Sequence, residues 1–109
     1  PPYPDSEANA WHRNVKMFTH IEVGGPEKAE LYPNRSLMLS WPPYDEPMAS
    51  DCLAYYSGPH VIYIGEGSGG CTGDELFHDT LYKEFEEIES VRLPQWHGIH
   101  DYLSVWRRK

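Results

Sequence analysis

Segment 40–44 (SWPPY) has residue types that suit the binding of a flat ligand. It closes the apolar run 36–41, which predicts a buried strand, and open α/β sheets bind ligands at the carboxyl ends of such strands. Pro42 and Pro43 fix the backbone and have no N–H group, so the segment would present carbonyl oxygens and an aromatic ring rigidly. The alternative is an ordinary strand-to-helix turn in which Trp41 and Tyr44 only cover the core.

Loop 65–73 (GEGSGGCTG) is a second candidate site. Its glycines permit close approach of a ligand to the backbone, and the helix predicted after it supplies free N–H groups. The spacing of Gly65, Gly67 and Gly69 approximates a nucleotide-binding fingerprint without its last interval, and no Lys follows as in a P-loop, which disfavours phosphoryl transfer. Glu66 would accept hydrogen bonds from ribose hydroxyls, an amine or a partner loop. The alternative is a long structural turn.

Segment 94–101 (PQWHGIHD) combines indole, imidazole and carboxylate groups in one predicted loop. His97 and His100 lie close enough in sequence to suggest a metal site, but the cysteines are distant and at no zinc-like spacing, so we predict no metal. His100, oriented by Asp101, is a candidate general acid or base. Cys71, at the start of a predicted helix, is a further candidate as a nucleophilic thiolate. The alternative is that all of these are ordinary loop residues.

Strands and helices are predicted to alternate along the chain and to position these segments. Strands are predicted at 36–41, 60–65, 91–93 and 102–106, with a short one at 19–23. Strand, helix, strand, helix, strand is the order of a parallel α/β sheet. The sequence therefore predicts a three-layer α/β fold with a mostly parallel sheet and an antiparallel C-terminal strand pair.

The helix boundaries follow from capping signals and apolar spacing. A short helix is predicted at 27–32, and residues 1–20 are predicted to form an extended arm anchored by Trp11 and Phe18. The next helix is capped by Asp45, with Pro47 in its first turn. A capping box of Thr72 and Glu75 begins another. Its apolar face has helical spacing and comprises Phe77, Leu81, Phe85 and Ile88.

Composition limits the classes of function. The chain has 109 residues, enough for one domain spanning 1–109, and nine Lys and Arg against 17 Asp and Glu give a net charge of −8. Such a charge disfavours duplex nucleic acid as a partner. No apolar run is long enough to cross a membrane. Two cysteines do not form a disulfide framework, so we expect a reducing, cytoplasmic location.

The order of these motifs resembles the C-terminal half of a Rossmann-like S-adenosylmethionine-dependent methyltransferase. In such enzymes a motif of the form Asp/Asn/Ser-Pro-Pro-aromatic ends the fourth strand, beside the methyl donor. The chain resembles more closely a group of methyltransferase-like proteins with four landmarks: an Asn-x-Trp/Tyr-His segment (9–12), WPPY (41–44), IGEGxGGCTGD (64–74) and PQWxGIHD (94–101). The resemblance extends over nearly the whole chain.

The resemblance implies S-adenosylmethionine as cofactor and assigns roles to the candidate residues. The residues expected to bind the cofactor are Ser40, Pro42, Pro43, Gly65 and Gly67. The expected catalytic residues are Trp41, Tyr44, Glu66 and His100, and the expected substrate-binding residues are Trp96 and Asp101. In the family, the βαβ unit that cradles the donor precedes these motifs, so the chain is expected to be a partial domain without that unit.

One departure from the family pattern bears on the substrate. Amino-methylating enzymes place Asp, Asn or Ser directly before the two prolines, where the side chain accepts a hydrogen bond from the target nitrogen. Trp41 stands there in this chain and has only an indole N–H donor. A small-molecule or peptide substrate is therefore expected rather than adenine or cytosine in duplex DNA.

Two alternatives to this assignment stay open. In a permuted methyltransferase, loop 65–73 would itself be the cofactor loop, although no acidic residue closes a following strand. In a non-catalytic module, the acidic surface and exposed aromatic residues would serve a protein partner. An unpaired strand edge would then favour a homodimer or pairing with a missing N-terminal half.

Overall fold

The computed structural model describes residues 19–109. The 3₁₀ helix Pro26–Leu31 confirms the predicted short helix. It is followed by β1 (Leu37–Ser40), α1 (Met48–Tyr55), β2 (His60–Gly65), α2 (Glu75–Glu84), β3 (Phe85–Arg92) and β4 (Tyr102–Arg108). The predicted anchors Trp11 and Phe18, and the motif at 9–12, lie outside the described residues. Residues 19–23 form no strand, contrary to the prediction.

The sheet is mixed, with the strand order β1-β2-β4-β3. β1 and β2 are parallel and joined by α1, as predicted, whereas β4 is antiparallel to both β2 and β3. The α/β class and the antiparallel C-terminal pair are therefore confirmed. The expectation of a mostly parallel sheet is wrong, because loop 93–101 returns the chain antiparallel and inserts β4 between the two preceding strands.

The described part of the chain has two layers rather than the predicted three. Val61 and Tyr63 of β2 are 0% and 2% exposed and face the helices, whereas Ile62 and Ile64 on the opposite face are half-buried. Both helices pack on the same face, since buried residues of α1 and α2 belong to one cluster with Val61 and Tyr63. The resulting core comprises Leu39, Ala49, Cys52, Leu53, Tyr56, Val61, Tyr63, Phe77, Leu81, Phe85 and Trp106.

The predicted helical face that continued through Phe85 and Ile88 is wrong, because α2 ends at Glu84. Phe85 begins β3 opposite Arg108 of β4, and a bulge between Glu87 and Glu89 takes up Ile88. The spacing of the four apolar residues fits a helix, but pairing with β4 along the whole of β3 satisfies the backbone instead. For the same reason β3 begins at Phe85 instead of the predicted 91 and ends at Arg92, and β4 continues to Arg108 instead of the predicted 106.

The helix caps also differ from the predicted ones. Asp74 rather than Thr72 caps α2, since its Oδ1 accepts the N–H of Phe77 at 3.0 Å. Its other oxygen, Oδ2, accepts the hydroxyl of Ser50 on α1 at 3.0 Å, so one carboxylate joins the two helices. α1 begins after Pro47, and Asp45 is not its cap.

Phe77→Ala tests the position of the core. Phe77 is fully buried, with its ring centroid 5.0 Å from that of Tyr63, whereas its neighbour Leu76 is 63% exposed. Removing a buried phenyl ring leaves a cavity, so we expect a loss of about 3–5 kcal/mol in the free energy of unfolding. Leu76→Ala should cost less than about 0.5 kcal/mol. Urea denaturation of both variants checks this, and equal losses would contradict the assigned core.

Candidate functional site

Segments 40–44 and 65–73 meet at the carboxyl ends of β1 and β2. The N–H of Trp41 donates to the carbonyl of Ile64 at 2.7 Å, which continues the parallel ladder. The N–H of Gly73 donates to the carbonyl of Pro42 at 3.1 Å, and the N–H of Asp45 to the carbonyl of Gly73 at 3.0 Å. The structure thus brings together two segments that the sequence singles out separately.

Trp41 has a backbone conformation that an aromatic residue rarely adopts. Its φ of 48° lies in the left-handed region, at a cost of about 1–2 kcal/mol for a residue with a Cβ. The indole N–H donates to Oδ2 of Asp101 at 3.0 Å, and the side chain is 40% exposed. Strained residues held by their surroundings cluster at functional sites. A constrained turn and an anchored ring therefore present the indole at the rim of the sheet.

The other residues of segment 40–44 differ in their access to a ligand. Ser40 is exposed and Pro43 is half-buried, whereas Pro42 is fully buried beneath the turn and contributes packing instead of a binding surface. Tyr44 is 65% exposed and lines a cleft of about 280 Å³ together with five residues of loop 65–73 and the start of α2. That volume is close to the lower limit for small-molecule sites.

Glu66 is buried and connects loop 65–73 to loop 93–101. Its Oε1 accepts the N–H of Cys71 at 2.7 Å, and its Oε2 accepts the N–H of His100 at 2.8 Å. These hydrogen bonds, that of His100 first, lower the pKa of the Glu66 carboxyl because they favour its charged form. The geometry therefore favours a clamp between two loops over the proton-accepting role suggested by the sequence.

Beneath this clamp lies a buried network that the sequence analysis missed. The Tyr63 hydroxyl donates to the carbonyl of Glu66 at 2.6 Å and also hydrogen-bonds the Thr72 hydroxyl. Thr72 Oγ1 accepts the N–H of Glu66 at 2.9 Å, and Nε2 of His78 contacts the Thr72 carbonyl at 2.9 Å. Burial raises the pKa of Tyr63 to about 12. The alternation of β2 places Tyr63 inward, but no sequence signal pairs it with Thr72.

This network explains why part of loop 65–73 is glycine. A Cβ at Gly65 would lie 2.6 Å from the Tyr63 hydroxyl oxygen and 2.7 Å from Thr72 Oγ1. A Cβ at Gly70 would lie 2.5 Å from the Cβ of Glu66. At Gly67 the nearest atom is the Tyr102 hydroxyl oxygen, at 3.4 Å. Internal packing thus accounts for Gly65 and Gly70 without a ligand.

The candidate residues of segment 94–101 have different contacts and do not form one group. The Asp101 carboxylate contacts the Trp41 indole, and no contact of the described residues orients the His100 ring through it, contrary to the prediction. The His100 ring is exposed, while its backbone N–H is held by Glu66. Trp96 is 84% exposed and Gln95 Nε2 donates to the Asp101 carbonyl at 2.5 Å.

Three further properties of the described residues bear on the candidate chemistry: the state of the thiols, the grouping of metal-binding side chains and the length of the helices. Cys71 is an exposed free thiol and Cys52 a buried one, whose pKa is raised chiefly by burial. Within residues 19–109 no three His, Cys, Asp or Glu side chains are grouped to hold a metal ion. In the same range, every helix is too short or too polar to cross a membrane.

Neither the known family models, nor curated proteins, nor solved structures give a match to this chain.

Gly65→Ala and Gly67→Ala form a matched pair that tests the packing explanation. The new methyl group at position 65 would overlap two buried hydroxyls, so we expect a loss of about 1–3 kcal/mol in the free energy of unfolding. At position 67 there is room, and the loss should be under about 1 kcal/mol. Urea denaturation distinguishes the two, and a stable Gly65→Ala variant would contradict the explanation.

Glu66→Gln tests the clamp through its dependence on pH. Glutamine turns a donor towards one of the two N–H groups, so we expect a loss of about 1–3 kcal/mol at pH 7. In the wild type, the pKa of folded Glu66 lies below its ordinary value of 4.5, so its stabilisation is present above that pH and lost as the pH falls through the lower pKa.

The difference between wild type and Glu66→Gln should therefore shrink from pH 7 to pH 3. Glu89→Gln, at an exposed position of β3, is the control and should differ little from wild type at pH 7. Urea denaturation at several pH values gives these differences. A constant gap between wild type and Glu66→Gln over that range would argue against the clamp.

Proposed function

We propose that the carboxyl end of β1 forms one wall of a methyl-transfer site, in an S-adenosylmethionine-dependent methyltransferase or its C-terminal part. The acceptor is a small molecule or a peptide. The observation that carries the proposal is the indole of Trp41, which a left-handed backbone and the Asp101 carboxylate hold at the rim of the sheet.

The chemistry of this wall suits a cation with an apolar surface. An exposed indole face attracts onium groups through its quadrupole, and a neighbouring carboxylate adds an attractive charge. Trp41 and Asp101 supply both within one hydrogen-bonded pair. When bound, S-adenosylmethionine supplies an activated methyl group on a cationic sulfur.

The fit of the predicted cofactor residues is partial. Ser40 and Pro43 have surface beside Trp41 and would hold the donor together with it. Pro42 and Gly65 are buried, and the neighbours of Gly65 are the Tyr63 and Thr72 hydroxyls. Pro42 and Gly65 would therefore not touch the donor, whereas Ser68 and Gly69 of loop 65–73 line the cleft beside Tyr44 and would be open to it.

Alignment and exclusion of water matter more for methyl transfer than acid–base power. Trp41 and Pro43 would orient the donor, and Tyr44, beside the 280 Å³ cleft, would contact the acceptor. Trp96 is 84% exposed and stays the predicted substrate contact of segment 94–101. The His100 ring is the candidate that takes a proton from it at a ring nitrogen, with its backbone fixed by Glu66.

A second candidate function is that of a non-catalytic interaction module. The open face of the sheet supports it, since no described helix covers the half-buried Ile62 and Ile64 or the 56% exposed Met38. Apolar faces of this kind mark surfaces for protein partners.

Calorimetric titration of the chain with S-adenosylmethionine and with its demethylated product separates the two functions. We expect micromolar binding of the donor. The demethylated product has a neutral sulfur, so Trp41→Leu should weaken donor binding tenfold or more and product binding less.

Tyr55→Leu is the control, because Tyr55 is an aromatic residue of similar exposure, 46%, on α1. It should leave both affinities unchanged. A wild-type chain that unfolds cooperatively but releases no heat with either compound would contradict a donor site formed by this chain alone; it would leave the C-terminal part of a methyltransferase and the interaction module as the two alternatives.

A further inference from the structure

The two edges of the sheet differ in their protection against pairing. β3, at one edge, has a bulge and the charged residues Glu86, Glu87, Glu89 and Arg92, which discourage another strand. β1, at the other edge, has the sequence LMLS, with no charge, no proline and a regular register to β2. Among the strands of residues 19–109, the β1 edge is thus the one that lacks these protections.

The backbone of β1 has hydrogen-bonding groups directed outwards. The N–H of Trp41 donates inwards to Ile64 of β2, so the alternation of a strand turns the N–H and C=O groups of Met38 and Ser40 away from β2. Within residues 19–109 no other strand pairs with this edge. The Met38 side chain is 56% exposed, on the open face of the sheet.

Segment 36–40 reads the same in both directions: SLMLS. When two such strands pair antiparallel about Met38, Met38 faces Met38, Leu37 faces Leu39 and Ser36 faces Ser40. Each apolar residue keeps its own face of the sheet, because opposed residues point to the same side. The outward-directed groups of Met38 and Ser40 also fall at hydrogen-bonded positions of this register.

We propose that the β1 edge pairs antiparallel with β1 of a second copy of this chain, in a twofold dimer centred on Met38. The pairing joins the two four-stranded sheets into one. Although each chain has a net charge of −8, no charged residue of the strand opposes another. The proposal does not depend on methyl transfer.

The register also places one residue of the second copy level with the start of the Trp41 turn. The same register places Arg35 of the second copy at the level of Trp41, just past the end of the paired strands. Arg35 is exposed, and its guanidinium carbon lies 5.2 Å from the centroid of the Tyr32 ring.

Sedimentation equilibrium of the 109-residue chain tests the assembly. We expect a species of twice the 12.6 kDa of one chain at micromolar concentration. Met38→Lys places two like charges directly opposite each other and should weaken the dimer at least tenfold. Val91→Lys adds the same charge to the same face on β3, where Val91 is 40% exposed, and should leave the dimer intact.

Cysteine cross-linking tests the register, in a Cys71→Ser background that removes the exposed native thiol. The two Met38 Cα atoms would lie about 5.5 Å apart, within disulfide range, so Met38→Cys should form a covalent dimer under mild oxidation. The two Ser36 residues would lie roughly 14 Å apart, so Ser36→Cys should not.

A monomeric wild type, or a dimer equally stable with Met38→Lys, would overturn the proposal. So would cross-linking that is faster at position 36 than at position 38. Circular dichroism of each variant checks that it is folded. Met38 and Ser36 are exposed, so their substitution should leave the fold intact.

Discussion

The two hydrogen bonds accepted by the buried Glu66 carboxylate are the interactions on which the rest of the candidate site depends. A buried carboxylate is tolerated only when hydrogen bonds replace its water, and here the N–H groups of Cys71 and His100 do so. These two donors belong to loops on either side of a helix and a strand. A single side chain therefore closes loop 65–73 on itself and holds loop 93–101 against it.

The position of Trp41 follows from this clamp. With His100 held at Glu66, the next residue, Asp101, reaches across to the indole of Trp41 at 3.0 Å. The hydrogen bond from Trp41 to Ile64 and the two bonds of Gly73 fix the backbone on the other side. The left-handed conformation of Trp41 is thus overdetermined by its surroundings, and strain of this kind persists only under such conditions.

The sequence predicts the elements whose signals are local. β2 matches its predicted range of 60–65, because a β-branched and aromatic run ended by glycine has one strong interpretation. The β3 boundary fails, since Phe85 and Ile88 have helical spacing and only pairing with β4 reveals the strand. Sheet order and layers depend on where β4 inserts, which no local pattern encodes.

The same limit applies to the site. Glycine and proline residues at the ends of the predicted strands locate segments 40–44, 65–73 and 94–101, and the structure does bring these segments together. These residues do not show which groups contact each other. The Glu66 carboxylate accepts hydrogen bonds from two backbone N–H groups, and the Asp101 carboxylate accepts one from the Trp41 indole and does not orient His100. Such pairings join residues up to 60 positions apart.

Site and open edge share one strand, and this links ligand binding to assembly. Ser40 ends β1 with its backbone groups directed to the open edge, and Trp41 begins the strained turn directly after it. A strand that pairs with β1 would restrict Ser40 and therefore the base of that turn. Because binding energies couple reciprocally, a ligand that orders the turn would in return strengthen the pairing. The short β1 strand thus connects the candidate methyl-transfer site at Trp41 with the proposed dimer interface at its edge.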